Sequence, residues 1–175
     1  NLYESNGYYE KAIELGAGCK KCRVVGNTVR DVGAGGIKIG EPRILPNPED
    51  QCEENVVTDN LIRDGGCVYP AAVGVWVGQS SKNIIAHNEI RDLYYTGISV
   101  CWTWGYGPNS CKENRSEHNH IHDIGKEVLS DLGGIYTLGV QPGTVLRNNL
   151  IHDVSSFTYG GWGIYPDEGS SSILI

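Results

Sequence analysis

The 175 residues include 24 glycines, no methionine and one phenylalanine, with 21 acidic against 14 basic side chains, a formal net charge of -7 and a pI near 5.2. That balance excludes the basic field that a nucleic-acid backbone or an anionic membrane surface requires, and no apolar run approaches the ~20 residues that cross a bilayer. Glycine at this density, with no long stretch of good helix formers, argues against a helical protein and predicts short strands joined by tight turns.

One pattern recurs along the chain. Asn27-Thr28-Val29-Arg30-Asp31 returns as Asn60-Leu61-Ile62-Arg63-Asp64, Asn88-Glu89-Ile90-Arg91-Asp92, Asn119-His120-Ile121-His122-Asp123 and Asn149-Leu150-Ile151-His152-Asp153. The leading asparagines are 33, 28, 31 and 30 residues apart. A period of this length, built from short apolar segments, marks a stacked solenoid in which each unit buries its apolar face against its neighbours. A second signal is a glycine opening a short strand, at Gly36, Gly74, Gly97, Gly134 and Gly163. A third is an apolar residue three positions before each asparagine: Val24, Val57, Ile85 and Leu146, with Ser116 as the exception. Three short strands per period make one coil, so the chain is all-β, a parallel β-helix of about five coils.

Residues two apart in a strand face the same way, so Val29, Ile62, Ile90, Ile121 and Ile151 are expected to stack inside. The leading asparagines form a second inward column at a tight bend, their amides bonding to one another and to turn backbone. The trailing aspartates, Asp31 through Asp153, are expected to accept from free backbone N–H groups where the chain leaves the strand. Carboxylates repeated in register are scaffold, not active sites.

The sequence stops at Ser172-Ile173-Leu174-Ile175, the apolar strand before a next asparagine bend. Residues 1–175 therefore read as one domain and an internal piece of a longer solenoid. Cys19 and Cys22 suggest a metal or redox pair, but structural zinc wants two such pairs. Cys101 and Cys111 bracket one loop and would pair in an exported protein. His118, His120 and His122 alternate along one segment, yet His122 and His152 occupy the outward column that Arg30, Arg63 and Arg91 fill, which reads as a solvated stripe. His87 and His118 both precede the asparagine bend. No metal site is assigned, and His120 is the histidine least explained by position.

Chemistry is sought among residues that break the repeat. Long loops after Ile39 and Val100, and after Asp64, Asp123 and Asp153, would wall a groove along the glycine strands. Its floor is expected to be Lys38, Trp76, Ser99, Tyr136 and Tyr165, with Trp102, Trp104 and Tyr106 in the adjacent loop. Exposed aromatic rings offer flat faces and hydrogen-bonding tips to sugar rings; the structural alternative is that the indoles pin loops to the scaffold. Asp131, Asp167 and Glu168 stand outside the repeat, with Glu127 further out. Glycosidic hydrolysis needs one carboxylic acid and one carboxylate nucleophile or base. Asp131 precedes Gly134 whereas Asp167 follows Gly163, so the two match only if a loop folds back, or Asp167 pairs with a residue of a sixth coil. Asp167 and Glu168 would point to opposite faces of a strand unless Pro166 and Gly169 turn the chain. Turn chemistry is the structural alternative for both aspartates.

The strings Gly33-Ala34-Gly35-Gly36-Ile37-Lys38-Ile39-Gly40, Tyr95-Thr96-Gly97-Ile98-Ser99-Val100, Gly133-Gly134-Ile135-Tyr136-Thr137-Leu138-Gly139 and Gly163-Ile164-Tyr165-Pro166-Asp167-Glu168-Gly169-Ser170 resemble bacterial right-handed parallel β-helix proteins close to glycoside hydrolase family 141. The resemblance runs over nearly the whole chain and is most specific around Asp131 and Asp167. It implies a secreted or periplasmic glycoside hydrolase acting on plant or algal polysaccharide, with fucosyl or xylosyl linkages among the family's substrates. Asp131 and Asp167 are implied as the catalytic pair, with Glu168 in reserve. Lys38, Trp76, Trp102, Trp104, Tyr136 and Tyr165 would bind the polysaccharide or oligosaccharide, and no cofactor is required. Pro166 departs from a regular strand at that point. The alternatives are a polysaccharide lyase using Lys38 or an arginine as base, and a non-catalytic surface solenoid that holds glycans.

Overall fold

The computed structural model describes residues 11–175. Most of their strands form three long parallel sheets wound in turn, and Cys52–Glu53 pairs with Ser80–Ser81 in a short fourth. The glycine sheet stacks Lys11–Leu15, Gly35–Ile39, Val75–Val77, Ile98–Val100, Gly133–Thr137 and Trp162–Pro166 in chain order. The apolar sheet stacks Arg23–Val25, Val56–Thr58, Ile84–Ala86, Arg115–Glu117, Val140–Arg147 and Ser171–Leu174, and the asparagine sheet stacks Thr28–Val32, Leu61–Gly65, Glu89–Leu93, His120–Ile124 and Leu150–Val154. Strand n of each sheet pairs with its counterpart one coil away, which is a parallel β-helix.

The register sets Val29, Ile62, Ile90, Ile121 and Ile151 opposite one another, as their spacing predicts. Val24, Val57, Ile85, Ser116 and Leu146 form a further inward column on the apolar sheet. Ser116 fits this apolar column because the Asn119 amide donates to its hydroxyl at 3.2 Å, so its buried oxygen is not left without a partner.

Two asparagine ladders hold the bends. In the predicted one, the backbone N–H groups of Asn27, Asn60, Asn88 and Asn119 donate to the Oδ1 of the next asparagine at 2.9, 3.1, 3.1 and 3.0 Å. The amides then follow the same path between side chains. A second ladder, five residues earlier in every coil, runs from the N–H of Cys22 through Asn55, Asn83 and Asn114 to the Thr144 hydroxyl. Both satisfy buried donors that the turning backbone cannot pair by sheet bonding.

The glycines are required by the isoleucines across the core. A Cβ on Gly74, Gly97 or Gly134 would meet the Cγ2 of Ile90, Ile121 or Ile151 at 2.7, 2.6 and 2.5 Å. Two sheets thus touch where one has no side chain. Gly97→Ala is expected to cost about 1–3 kcal/mol through overpacking against Ile121 Cγ2 and the Gly134 carbonyl, and to cost less in a chain that already carries Ile121→Ala, which removes the opposing Cγ2 methyl. Urea unfolding of the single and double variants measures this coupling; additive losses would remove the contact as the cause.

The trailing aspartates act differently from expectation. Asp31, Asp64, Asp92, Asp123 and Asp153 all take left-handed φ values, between 51° and 57°, a conformation Asp tolerates better than most residues. Their carboxylates turn to the preceding side chain instead of to backbone. Arg63 binds Asp64, Arg91 binds Asp92, and the Nδ1 atoms of His122 and His152 lie 2.7 Å from Asp123 and Asp153. The left-handed bend swings the carboxylate beside its neighbour and away from the outgoing backbone.

Candidate active site

The outward column Lys38, Trp76, Ser99, Tyr136 and Tyr165 is in register, as the alternation predicts. Its exposure is not what the sequence suggests. Lys38 is buried and ion-paired, its Nζ 2.6 Å from Glu14 and 3.4 Å from Glu41. Burial works to lower its pKa, but the two carboxylates outweigh that and hold it above the ordinary lysine value. Trp76 is 0% exposed, folded over Gly78, with Trp102 packed edge-on at 5.9 Å between ring centroids. Lys38, Trp76 and Trp102 are therefore inner packing in this structure, not groove floor. The loop that covers Trp76 is clamped by a Cys101–Cys111 disulfide. Trp104, 54% exposed, stands on Trp102 at 5.0 Å.

At the opposite end of the column Tyr136 is likewise buried, 4% exposed and so not an open groove floor, while Tyr165 is half-buried and both rings lie beside carboxylates. Tyr136 and Tyr165 meet edge to face with centroids 5.1 Å apart. The Tyr136 hydroxyl donates to Asp167 Oδ2 at 2.6 Å, and the Tyr165 hydroxyl donates to Asp131 Oδ1 at 3.0 Å. The chain does fold back as this convergence requires. Asp131 sits before its strand in a left-handed conformation, φ 62°. Its N–H donates to Tyr159 O at 2.9 Å and its carbonyl accepts from the Tyr95 hydroxyl at 2.9 Å. Asp167 follows Pro166, its N–H donating to Thr137 O at 3.0 Å. At Pro166 the strand ends, and the turn closes through Ser170 N–H to Asp167 O.

Glu168 does not join them. It is exposed, faces Gly105 of the disulfide loop, and its carbonyl accepts from Gly139, because consecutive residues leaving a strand diverge. Two aromatic neighbours escaped the sequence reading. Trp162 lies 4.2 Å from the Tyr165 ring and is 40% exposed, with Tyr159 edge-on to it at 6.4 Å. Their signal was available: Trp162 opens the strand that carries Tyr165, one residue before the glycine taken as its start. A separate cleft of about 690 Å³ lies beneath Tyr106 and Pro108, beside Cys52, Ser80 and Ser81, and includes neither aspartate.

Burial, then the hydrogen bond donated to Asp167 and that carboxylate's charge, push the Tyr136 phenol far above the ordinary tyrosine pKa. Burial, the bond to Asp131 and the nearby charge of Asp167 do the same for Tyr165. These phenols stay protonated where unfolded tyrosines have ionised, so their stabilisation is full below pH about 10 and is lost as pH rises through the folded values. Ultraviolet titration is expected to show both ionising only as the fold opens, and Tyr136→Phe and Tyr165→Phe each to remove one late group. Ionisation of all ten tyrosines near pH 10 in the intact fold would contradict the arrangement.

Stacked parallel coils with a bounded carboxylate and phenol cluster on one outer sheet define a β-helix scaffold bearing a polar site. The chain belongs to the family described as right handed beta helix region, whose model matches residues 4–175. A solved structure named glycoside hydrolase superposes with a TM-score of 0.77 at 23% identity, over 93% of this chain and 26% of that one. The chain thus spans about a quarter of that structure's length, and the likeness is one of fold. A comparison with curated proteins finds no match. Among the described residues no helix is long and apolar enough to cross a membrane.

Proposed function

We propose that this chain carries the catalytic carboxylates of a glycoside hydrolase acting on plant or algal polysaccharide, with Asp131 and Asp167 as acid and nucleophile or base. The observation that carries this reading is the meeting of two non-repeat carboxylates on the Tyr136 and Tyr165 hydroxyls. One carboxyl group protonates the leaving glycosidic oxygen while the other attacks the anomeric carbon or activates water. Phenol hydroxyls donating to both fix their rotamers before substrate arrives, which is how bound geometry lowers a barrier. Trp162, Trp104 and Tyr159 present exposed rings around them, suited to the apolar faces of sugars. The resemblance to family 141 supports fucosyl or xylosyl linkages as first substrates to try, and the disulfide suits a secreted or periplasmic protein.

The lyase reading is left with an arginine as its base, because the Lys38 ammonium is held between Glu14 and Glu41. The binding-solenoid reading has the exposed rings in its favour, and one experiment separates it from the hydrolase. Release of reducing sugar from plant cell-wall polysaccharides is measured with the parent chain and with Asp131→Asn and Asp167→Asn. Loss of release with glycan binding kept supports hydrolysis; binding with no release by the parent favours the solenoid.

A further inference from the structure

The asparagine sheet carries a second constellation on its outward face, remote in role from the aspartate pair. His120 and His122 come from one coil and His152 from the next, and one ring nitrogen from each lies within 4.8 Å of the others. The rings of His122 and His152 stack at 5.0 Å, and His120 closes to 4.2 Å from His122. The solvated-stripe reading explains the column positions of His122 and His152 but not this convergence.

The ring nitrogens are set for lone-pair donation. Nδ1 of His122 and of His152 each lies 2.7 Å from an aspartate oxygen, Asp123 and Asp153. A carboxylate there holds the proton on Nδ1 and leaves Nε2 as the free donor, the arrangement that outer carboxylates give metal-bound imidazoles. Nε2 of His122 is buried and makes no hydrogen bond; Glu89 Oε1 is 3.8 Å from it. Nε2 of His120 and of His152 face each other at 2.8 Å, a separation that demands a shared proton or a cation between them. Two nitrogens around tetrahedral zinc, each at about 2.0–2.1 Å, would stand roughly 3.4 Å apart, a small opening for half-exposed rings. Arg91 is the nearby like charge, and it is already bonded to Glu89 at 2.9 Å and to Asp92.

The geometry points to a divalent transition-metal site of zinc type, ligated by Nε2 of His120, His122 and His152, with water or Glu89 in the fourth position. Three imidazoles suit zinc, nickel or copper and not calcium or magnesium. Because its ligands come from neighbouring coils, the ion clips one coil to the next and binding stabilises the folded stack.

The test is calorimetric titration of zinc into the full chain carrying Cys19→Ser, Cys22→Ser and Cys67→Ser, which removes the half-buried thiol pair and the exposed thiol as competing ligands. One equivalent is expected, with a rise in Tm that calcium does not produce. His120→Ala with His152→Ala is expected to abolish both, and Asp153→Asn to weaken zinc by about 10–100-fold. Circular dichroism confirms that each variant keeps its strands; a variant that does not is replaced by His152→Gln, which preserves bulk. Absence of zinc binding by the folded parent, or equal stoichiometry and affinity in the double histidine variant, overturns the site.

Discussion

Asp167→Asn is expected to lower kcat by about 10³-fold or more, and Asp131→Asn by a similar factor, since a positioned acid, base or nucleophile contributes on the order of 10²–10⁴. Folding is expected to survive both changes. An asparagine at 167 still offers an oxygen to the Tyr136 hydroxyl now 2.6 Å from the carboxylate, and one at 131 still receives the Tyr165 hydroxyl. The left-handed backbone at Asp131 suits asparagine as well as aspartate. The readout is therefore a fall in kcat with little change in Tm. Tyr136→Phe keeps the ring that packs against Tyr165 and removes the bond that holds Asp167, so a smaller loss, about 10-fold, is expected there. If the pair forms a covalent glycosyl-enzyme, external azide separates the roles by its product: in the variant that lacks the nucleophile the glycosyl azide is inverted, and in the variant that lacks the acid/base it retains configuration. Full activity in both asparagine variants would dismiss the pair.

The second large effect lies in the scaffold. Asn88→Ala is expected to cost about 3 kcal/mol in urea unfolding, from loss of several buried hydrogen bonds at about 1 kcal/mol each with orphaned partners left behind. Asn88 Oδ1 accepts from the Asn60 backbone at 3.1 Å and from the Asn60 amide at 2.9 Å. Its own amide donates to Val57 O at 3.0 Å and to Asn119 Oδ1 at 3.0 Å. Asn27, at the exposed end of the same ladder, donates but receives no ladder bond from an earlier coil among the described residues, so Asn27→Ala is expected to cost less than half as much. Equal losses at the two positions would mean that the ladder does not act bond by bond.

The second ladder shows how a real signal escapes a reading by repeats. Asn55, Asn83 and Asn114 each stand five residues before a leading asparagine, but Cys22 and Thr144 occupy the matching places in the first and last coils. At the first position only a backbone N–H is needed and at the last only an oxygen, so residue identity is free there. The same reasoning applies to the histidines: column position is periodic and legible, whereas ring convergence depends on χ angles set by Asp123 and Asp153.

What the sequence by itself determined was everything that repeats: the coil, its three strands, the inward isoleucines, the asparagine bends and the register of Lys38 with Trp76, Ser99, Tyr136 and Tyr165. Period and alternation carry that information because each coil meets the same neighbours as the last. Choosing Asp131 and Asp167 as departures from the pattern was also within its reach. Only the tertiary structure decided that Lys38, Trp76 and Tyr136 lie covered while Trp162 stands open, and that Asp131 reaches a phenol of the following coil. Those outcomes belong to non-periodic loops, whose paths follow from the Cys101–Cys111 clamp, the close approach of Gly105 to Gly169 and the Tyr95 bond to Asp131. Contacts between residues far apart in the chain leave no local spacing to read.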